Sequence, residues 1–389
     1  MHHKQTRVSK FKPILVIFIL LLLVAAEIYF LFFQKDPSST NSPSDETASS
    51  VAKIPKDVSQ ATNFNQEIQP DSELAKTIEK KITDTHFVGT ALIIQKGQIL
   101  LQKGYGYADV ANNRPNTYQS IYQIGSVQKA MTAVLILQQV QAGHLSLDET
   151  LDHFYPNIPD SQKITIRQLL AMSSGLYQEG KPTIAMTEEE FLLFSITHAN
   201  MGTYGKYKYE AVNYRILAGI LEKLTNITYR ELFTQTFIHH LQLSRTCFYD
   251  DFLTSLNRTY AYKDAEEQIS APLIEDNPLL FGQEIGTGNV GMTVSDLYHF
   301  YADLLGGKLL DPSITKDAWS EKTYGKYMGG LYNFSNYIKG HGVEDGFEAN
   351  VMLTKDCQTG VILLSNQYQK SHTHLELTAT IFETIAHLK

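Results

Sequence analysis

Strand-forming runs stand near both ends of the chain beyond residue 70, with helical patterns filling the space between them. Gly89–Gln95 and residues 98–107 flank Lys96-Gly97, a pair suited to a tight hairpin turn. Residues 349–354 and Gly360–Ser365 are the matching apolar runs near the C-terminus. From Ser126 to about Gly307 the pattern is mostly helical. Residues 72–86, with Leu74, Ile78 and Ile82 at intervals of four, give an opening helix, and residues 375–388 a closing one. Strands that meet across such an interval imply one antiparallel sheet interrupted by a helical insertion, an α+β fold flanked by its terminal helices. A hydrophobic fraction of 43% supplies a core for it.

What precedes residue 70 has a different character. Residues 13–33 are apolar apart from Glu27, and a run of about 20 such residues can span a bilayer as a helix. Lys4, Arg7, Lys10 and Lys12 precede it and should stay cytoplasmic, which puts the remainder outside the cell. Val24-Ala25-Ala26 offers small residues for a signal-peptide cleavage, the rival reading. The apolar run continues through Ile28 to Phe33, which favours an uncleaved anchor. Residues 34–70 are rich in Ser, Thr, Asp, Asn, Pro and Gln and read as a disordered tether. The expected organisation is a cytoplasmic tail over 1–12, an anchor over 13–33, a linker over 34–70 and a domain over 71–389.

Charge and cysteines narrow the classes. The net charge of −8 argues against a nucleic-acid partner. Cys247 and Cys357 are too few for a disulfide framework; two free thiols are the favoured reading over a single bridge. No Cys-x-x-Cys or His-Glu-x-x-His occurs, and His239-His240 would point about 100° apart on a helix, so no metal site and no cofactor is indicated.

Ser126-Val-Gln-Lys129 carries the chemistry. A serine hydroxyl is a poor nucleophile unless a neighbouring group takes its proton. A lysine three residues on lies on the same helical face and reaches it. Ser-x-x-Lys occurs four times, at Ser9, Ser50, Ser126 and Ser313, but only Ser126 combines a preceding glycine with a following apolar helix.

Around this pair the chain resembles the serine penicillin-recognising enzymes of the class C β-lactamase and D-alanyl-D-alanine carboxypeptidase type. Phe87-Val-Gly-Thr-Ala-Leu-Ile-Ile-Gln is similar to their opening strand, Tyr122-Gln-Ile-Gly-Ser-Val-Gln-Lys to their nucleophile segment, and Ile164-Thr-Ile-Arg-Gln-Leu-Leu-Ala-Met-Ser-Ser-Gly-Leu to a following conserved stretch. Tyr209-Glu-Ala-Val-Asn-Tyr resembles the segment that carries Tyr-x-Asn, with Ala211 in place of the asparagine. Gly340-His341-Gly342-Val-Glu344-Asp-Gly-Phe resembles the His-x-Gly strand, one residue shorter before Gly-Phe.

The resemblance implies Ser126, Lys129 and Tyr209 as catalytic residues, Tyr209 relaying protons with help from Lys129. It implies His341, Gly342 and Glu344 as substrate-binding. The backbone N–H groups of Ser126 and Val343 would form an oxyanion hole. Ala211 lacks the amide that would hold a substrate carbonyl, a contact of roughly 1 kcal/mol, which argues against efficient β-lactam hydrolysis. The layout is similar to the anchored, teichoic-acid D-alanyl esterase-like subgroup. The implied function is acyl transfer or hydrolysis on D-alanine-bearing wall polymers, teichoic acid or peptidoglycan, at the outer face of the cell membrane. A penicillin-recognising binding or sensor module with little turnover, and a β-lactamase, are the alternatives.

Overall fold

The computed structural model describes residues 64–265, 267–319, 327–368 and 373–387. The expected tail, anchor and the linker as far as residue 63 lie outside the described residues. Among the described residues no helix is long and apolar enough to cross a membrane.

The strands at the two ends of the domain form one sheet. In chain order they are β1 (Gly89–Gln95), β2 (Gln98–Tyr105), β3 (Tyr327–Met328), β4 (Leu331–Asn333), β5 (Tyr337–Glu344), β6 (Phe347–Thr354) and β7 (Gly360–Ser365). Their order across the sheet is β3-β4-β5-β6-β7-β1-β2, and each neighbouring pair is antiparallel. Lys96 and Gly97 both have positive φ (50° and 75°), the backbone that a two-residue hairpin between twisted strands requires. The chain closes where β1 pairs with β7, from Gly89 opposite Ser365 to Ile94 opposite Gly360.

Both faces of the central strands are buried, which explains their unbroken apolar runs. Ala91, Ile93, Val361 and Leu363 face one layer, while Leu92, Ile94, Ile362 and Leu364 face the other. The first layer consists of α1 (Glu73–Asp84) and the C-terminal helix, Leu375–Ala386. Ser72 caps α1 by accepting from the Ala75 N–H, and Ile78 and Ile82 enter the core. The second layer is the expected insertion. Its helices α2 (Gln128–Gln141), α3 (Val212–Thr225) and α4 (Val294–Leu305) pack a large cluster that includes Val134, Leu217 and Phe300. A ribbon joins Tyr122–Gln123, just before the insertion, to Val290–Met292 and Cys247–Phe248 within it, strands too short to leave a period-two pattern. Cys247 and Cys357 are both free thiols.

The expected linker ends before residue 70. Phe64 is buried, with its ring stacked 5.2 Å from Tyr298 and set edge-on 4.6 Å from His299. The buried Gln102 side chain donates to the carbonyls of Phe64 (3.1 Å) and Gln66 (2.7 Å), while Ile68 and Gln102 exchange backbone hydrogen bonds. One aromatic ring and the backbone partners of Gln102 dock these residues, so a polar composition overall does not set the boundary. Phe64→Ala should lower stability by about 3 kcal/mol in urea unfolding; an unchanged midpoint would show that the segment is not part of the cooperative unit.

Candidate active site

Ser126 lies in a single 3₁₀ turn, Gly125–Val127, that leads into α2. Gly125 supplies the positive φ (48°) that starts the turn. Lys129, one turn on, is 2% exposed. Its Nζ donates to Ser126 Oγ at 2.9 Å and to the Thr287 carbonyl at 2.9 Å. The expected reach of lysine to serine along one helical face is thus realised.

Strand β5 presses against the same turn. A Cβ on Gly342 would fall 2.1 Å from the Ile124 carbonyl oxygen and 2.9 Å from the Ser126 nitrogen. A Cβ on Gly125 would fall 3.1 Å from the Val343 nitrogen. No side chain fits at Gly342, and the backbones of Ser126 and Val343 are brought together because none is there. Gly330, between β3 and β4, makes a comparable approach: its Cβ would lie 2.2 Å from the Ala130 nitrogen.

These elements enclose a cavity of about 290 Å³ lined by Ser126, Tyr209, Tyr327, Gly330, Tyr332, His341 and Val343. Tyr209 forms one wall. Its ring stands 5.7 Å from that of Tyr327, and Lys129 Nζ lies 5.5 Å from its centroid. Ala211 caps α3 with no side-chain hydrogen bond. Asn213 instead ties the segment down: its amide donates to the Glu210 carbonyl (2.9 Å) and accepts from Ser174 Oγ (2.6 Å), linking two of the stretches quoted above.

His341 forms the opposite wall, and its Nε2 donates to Glu348 Oε1 at 3.1 Å. Glu348, fully buried on β6, also accepts from the His374 backbone N–H at 3.1 Å. Burial alone would raise the Glu348 carboxyl, but the hydrogen bonds from His341 and His374 outweigh it and hold it below the ordinary carboxylate value. Glu348 was not among the residues expected from the sequence. Its signal was there: Glu348 is the one charged residue in the strand Phe347–Thr354.

Glu344, expected to bind substrate, is not part of the cavity lining. It alternates with His341 and Val343 along the strand and approaches Glu284 instead: a Cβ on Gly288 would lie 3.2 Å from Glu344 Oε2 and 3.5 Å from Glu284 Oε2. Burial, and then the charge of Glu284, push Glu344 up to about 8 against the opposing pull of Lys129. Of the six expected site residues, the structure gathers Ser126, Tyr209 and His341 on one cavity, sets Lys129 beneath it, uses Gly342 for the close approach and turns Glu344 aside. Tyr327, Gly330 and Tyr332 complete the lining without having been expected. Among the described residues no group of acids, histidines and cysteines is arranged to hold a metal ion.

With that fold and site in view, the chain belongs to the Beta-lactamase family, whose model matches residues 74–385. It is 28% identical over 331 residues to the putative penicillin-binding protein PbpX of Bacillus subtilis (strain 168), covering 85% of this chain and 84% of that one. It is 28% identical over 267 residues to the teichoic acid D-alanine hydrolase of Staphylococcus aureus (strain NCTC 8325 / PS 47), covering 68% of this chain and 66% of that one. Among solved structures, FmtA from Staphylococcus aureus superposes with a TM-score of 0.73 at 22% identity, over 82% of this chain and 91% of that one. The penicillin-binding protein of Bacillus halodurans gives 0.66 at 21%, over 78% and 98%. These superpositions establish a β-lactamase and penicillin-binding-protein fold with its antiparallel sheet.

Two outcomes follow from the geometry. Gly330→Ala puts a methyl group at φ +77° against the backbone of α2. It should cost more than about 1 kcal/mol in unfolding and slow covalent labelling of Ser126; wild-type labelling and stability would contradict the packing described. The second concerns acid. Burial holds His374 below the ordinary imidazole value, and Glu348 is held low as described. Both groups bind protons more readily when unfolded, so their contribution is present above the unfolded values and is lost as pH falls. Stability should decline once pH drops below about 6.5 and decline further through the carboxylate range. Glu348→Gln should flatten the lower part of that curve, and a parallel curve would remove Glu348 from the account.

Proposed function

We propose that this chain is a serine acyl hydrolase that works through an acyl-enzyme on D-alanine-bearing wall polymers, held at the outer face of the membrane by residues 13–33. The observation that carries the proposal is Lys129 Nζ, 2.9 Å from Ser126 Oγ beneath an open cavity. A serine bonded to a buried amine has a group in place to receive its proton as it attacks a carbonyl. The Ser126 and Val343 N–H groups receive the developing oxyanion, and such donors contribute about 2.7–4 kcal/mol each in well-studied enzymes. Tyr209, beside the Lys129 ammonium, passes the proton to the leaving group. Water then enters the open side and releases the acyl group. His341, oriented by Glu348, binds the polymer's polar groups next to the reacting carbonyl.

The acyl group is read as D-alanyl because a relative matched over most of this chain is a teichoic acid D-alanine hydrolase. Ala211 supports an ester over an amide or a β-lactam, since no side-chain amide at that position grips a substrate amide. The test uses the full chain with D-alanylated teichoic acid, a D-alanyl-D-alanine peptide and a fluorescent penicillin. Wild type should release D-alanine from teichoic acid in preference to the peptide, and Ser126→Ala should lose this by on the order of 10³-fold or more. Peptide cleavage without ester cleavage would overturn the ester reading. Binding of the penicillin with no turnover of either substrate would favour a sensor module.

A further inference from the structure

The loop from Glu284 to Gly288 passes behind the nucleophile and brings Thr287 and Glu284 to Lys129 and Arg215. The Thr287 carbonyl accepts from Lys129 Nζ at 2.9 Å. The Thr287 hydroxyl donates to Glu284 Oε2, and Arg215 from α3 forms an ion pair with Glu284 Oε1 at 3.1 Å. Glu344 approaches from the end of β5. Gly288 sits between the carboxyl groups, its absent Cβ within 3.5 Å of an oxygen of each and of the Gly125 carbonyl carbon. The groups that act on Glu344 are Glu284 from the loop, Lys129 from α2, Asp345 from the turn after β5 and Arg215 from α3.

We propose that Glu284 and Glu344 form a carboxyl pair that shares one proton behind Lys129, and that this proton controls the readiness of Lys129 to accept the proton of Ser126. Two carboxyl groups set against the same glycine and largely screened from solvent disfavour each other's ionisation. Glu284 is the member whose oxygens already have partners, Arg215 on Oε1 and the Thr287 hydroxyl on Oε2. Glu344 makes no comparable hydrogen bond among the described residues and is therefore the member that holds the proton. When it is lost, a second negative charge appears beside Lys129 and holds the proton on Nζ, where the nitrogen cannot take another from Ser126. Both acids are positioning residues: neither lines the cavity, and they act through Lys129. The kinetic consequence rests on the hydrolase reading above; the existence of the pair does not.

The experiment follows the full chain with two readouts. In the first, Glu side-chain carboxyl carbons labelled with ¹³C are titrated by NMR, and the Glu344 signal is identified by its loss in Glu344→Gln. It should titrate well above the other glutamates in wild type and return toward them in Glu284→Gln. In the second, the rate of Ser126 labelling by a neutral fluorophosphonate is measured from pH 6 to pH 10. Wild type should lose rate on the alkaline side as Glu344 ionises. Glu344→Gln should abolish that fall, raising the ratio of the alkaline rate to the neutral rate by roughly tenfold. Glu284→Gln should move the fall to lower pH. A Glu344 signal in the ordinary range, or one that ignores Glu284→Gln, overturns the pair. An alkaline fall retained in Glu344→Gln overturns its control of Lys129. No labelling in wild type overturns the hydrolase reading and that control together, and the carboxyl titration separates this from failure of the pair.

Discussion

The contact on which the site depends is backbone against backbone, between β5 and the turn that carries Ser126. Gly342 permits it, since a methyl group there would lie 2.1 Å from the Ile124 carbonyl oxygen. That approach fixes Val343 beside the serine turn and puts His341 on the far wall of the cavity. It also joins the two layers. The strand belongs to a sheet closed by the pairing of β1 with β7, whereas the turn belongs to the helical insertion. The cavity exists because a helix start and a strand from distant parts of the sequence meet without side chains between them.

Electrostatics divides the site into a front and a back. In front, the Ser126 hydroxyl, Tyr209 and His341 face open space and are supported by groups that do not face it, Lys129 and Glu348. Behind, Glu284 pairs with Arg215, and Glu344 lies beside them within the influence of the Lys129 charge. The serine's hydrogen bond is therefore held from behind by charges that are removed from solvent. Such an arrangement keeps Ser126 and Lys129 at one distance while the cavity side remains open.

Much of this was legible in the sequence because it is local. The hairpin at Lys96-Gly97, the terminal helices and the Ser126–Lys129 spacing each follow from periodicity or turn chemistry within a few residues. The apolar strands were legible as strands; that their alternate residues serve two buried layers emerges only from the packing. What escaped was long-range or small. Glu348 meets His341 only through the register of β5 and β6. Tyr327 and Tyr332 line the cavity by virtue of strands two and three residues long. Residues 64–68 look like linker by composition and are docked by Gln102 and one phenyl ring. The resemblance implies Glu344 as substrate-binding, but strand alternation turns it away from the cavity that His341 and Val343 line.

The central claim is that Ser126 carries the acyl group during turnover, and mass spectrometry of the rapidly quenched chain tests it most directly. After brief incubation with a D-alanyl ester and quenching in acid, the peptide containing Ser126 should gain the mass of one alanyl group. That gain should be absent in Ser126→Ala. Release of D-alanine with the added mass on another residue, or retained in the Ser126→Ala chain, would contradict the account.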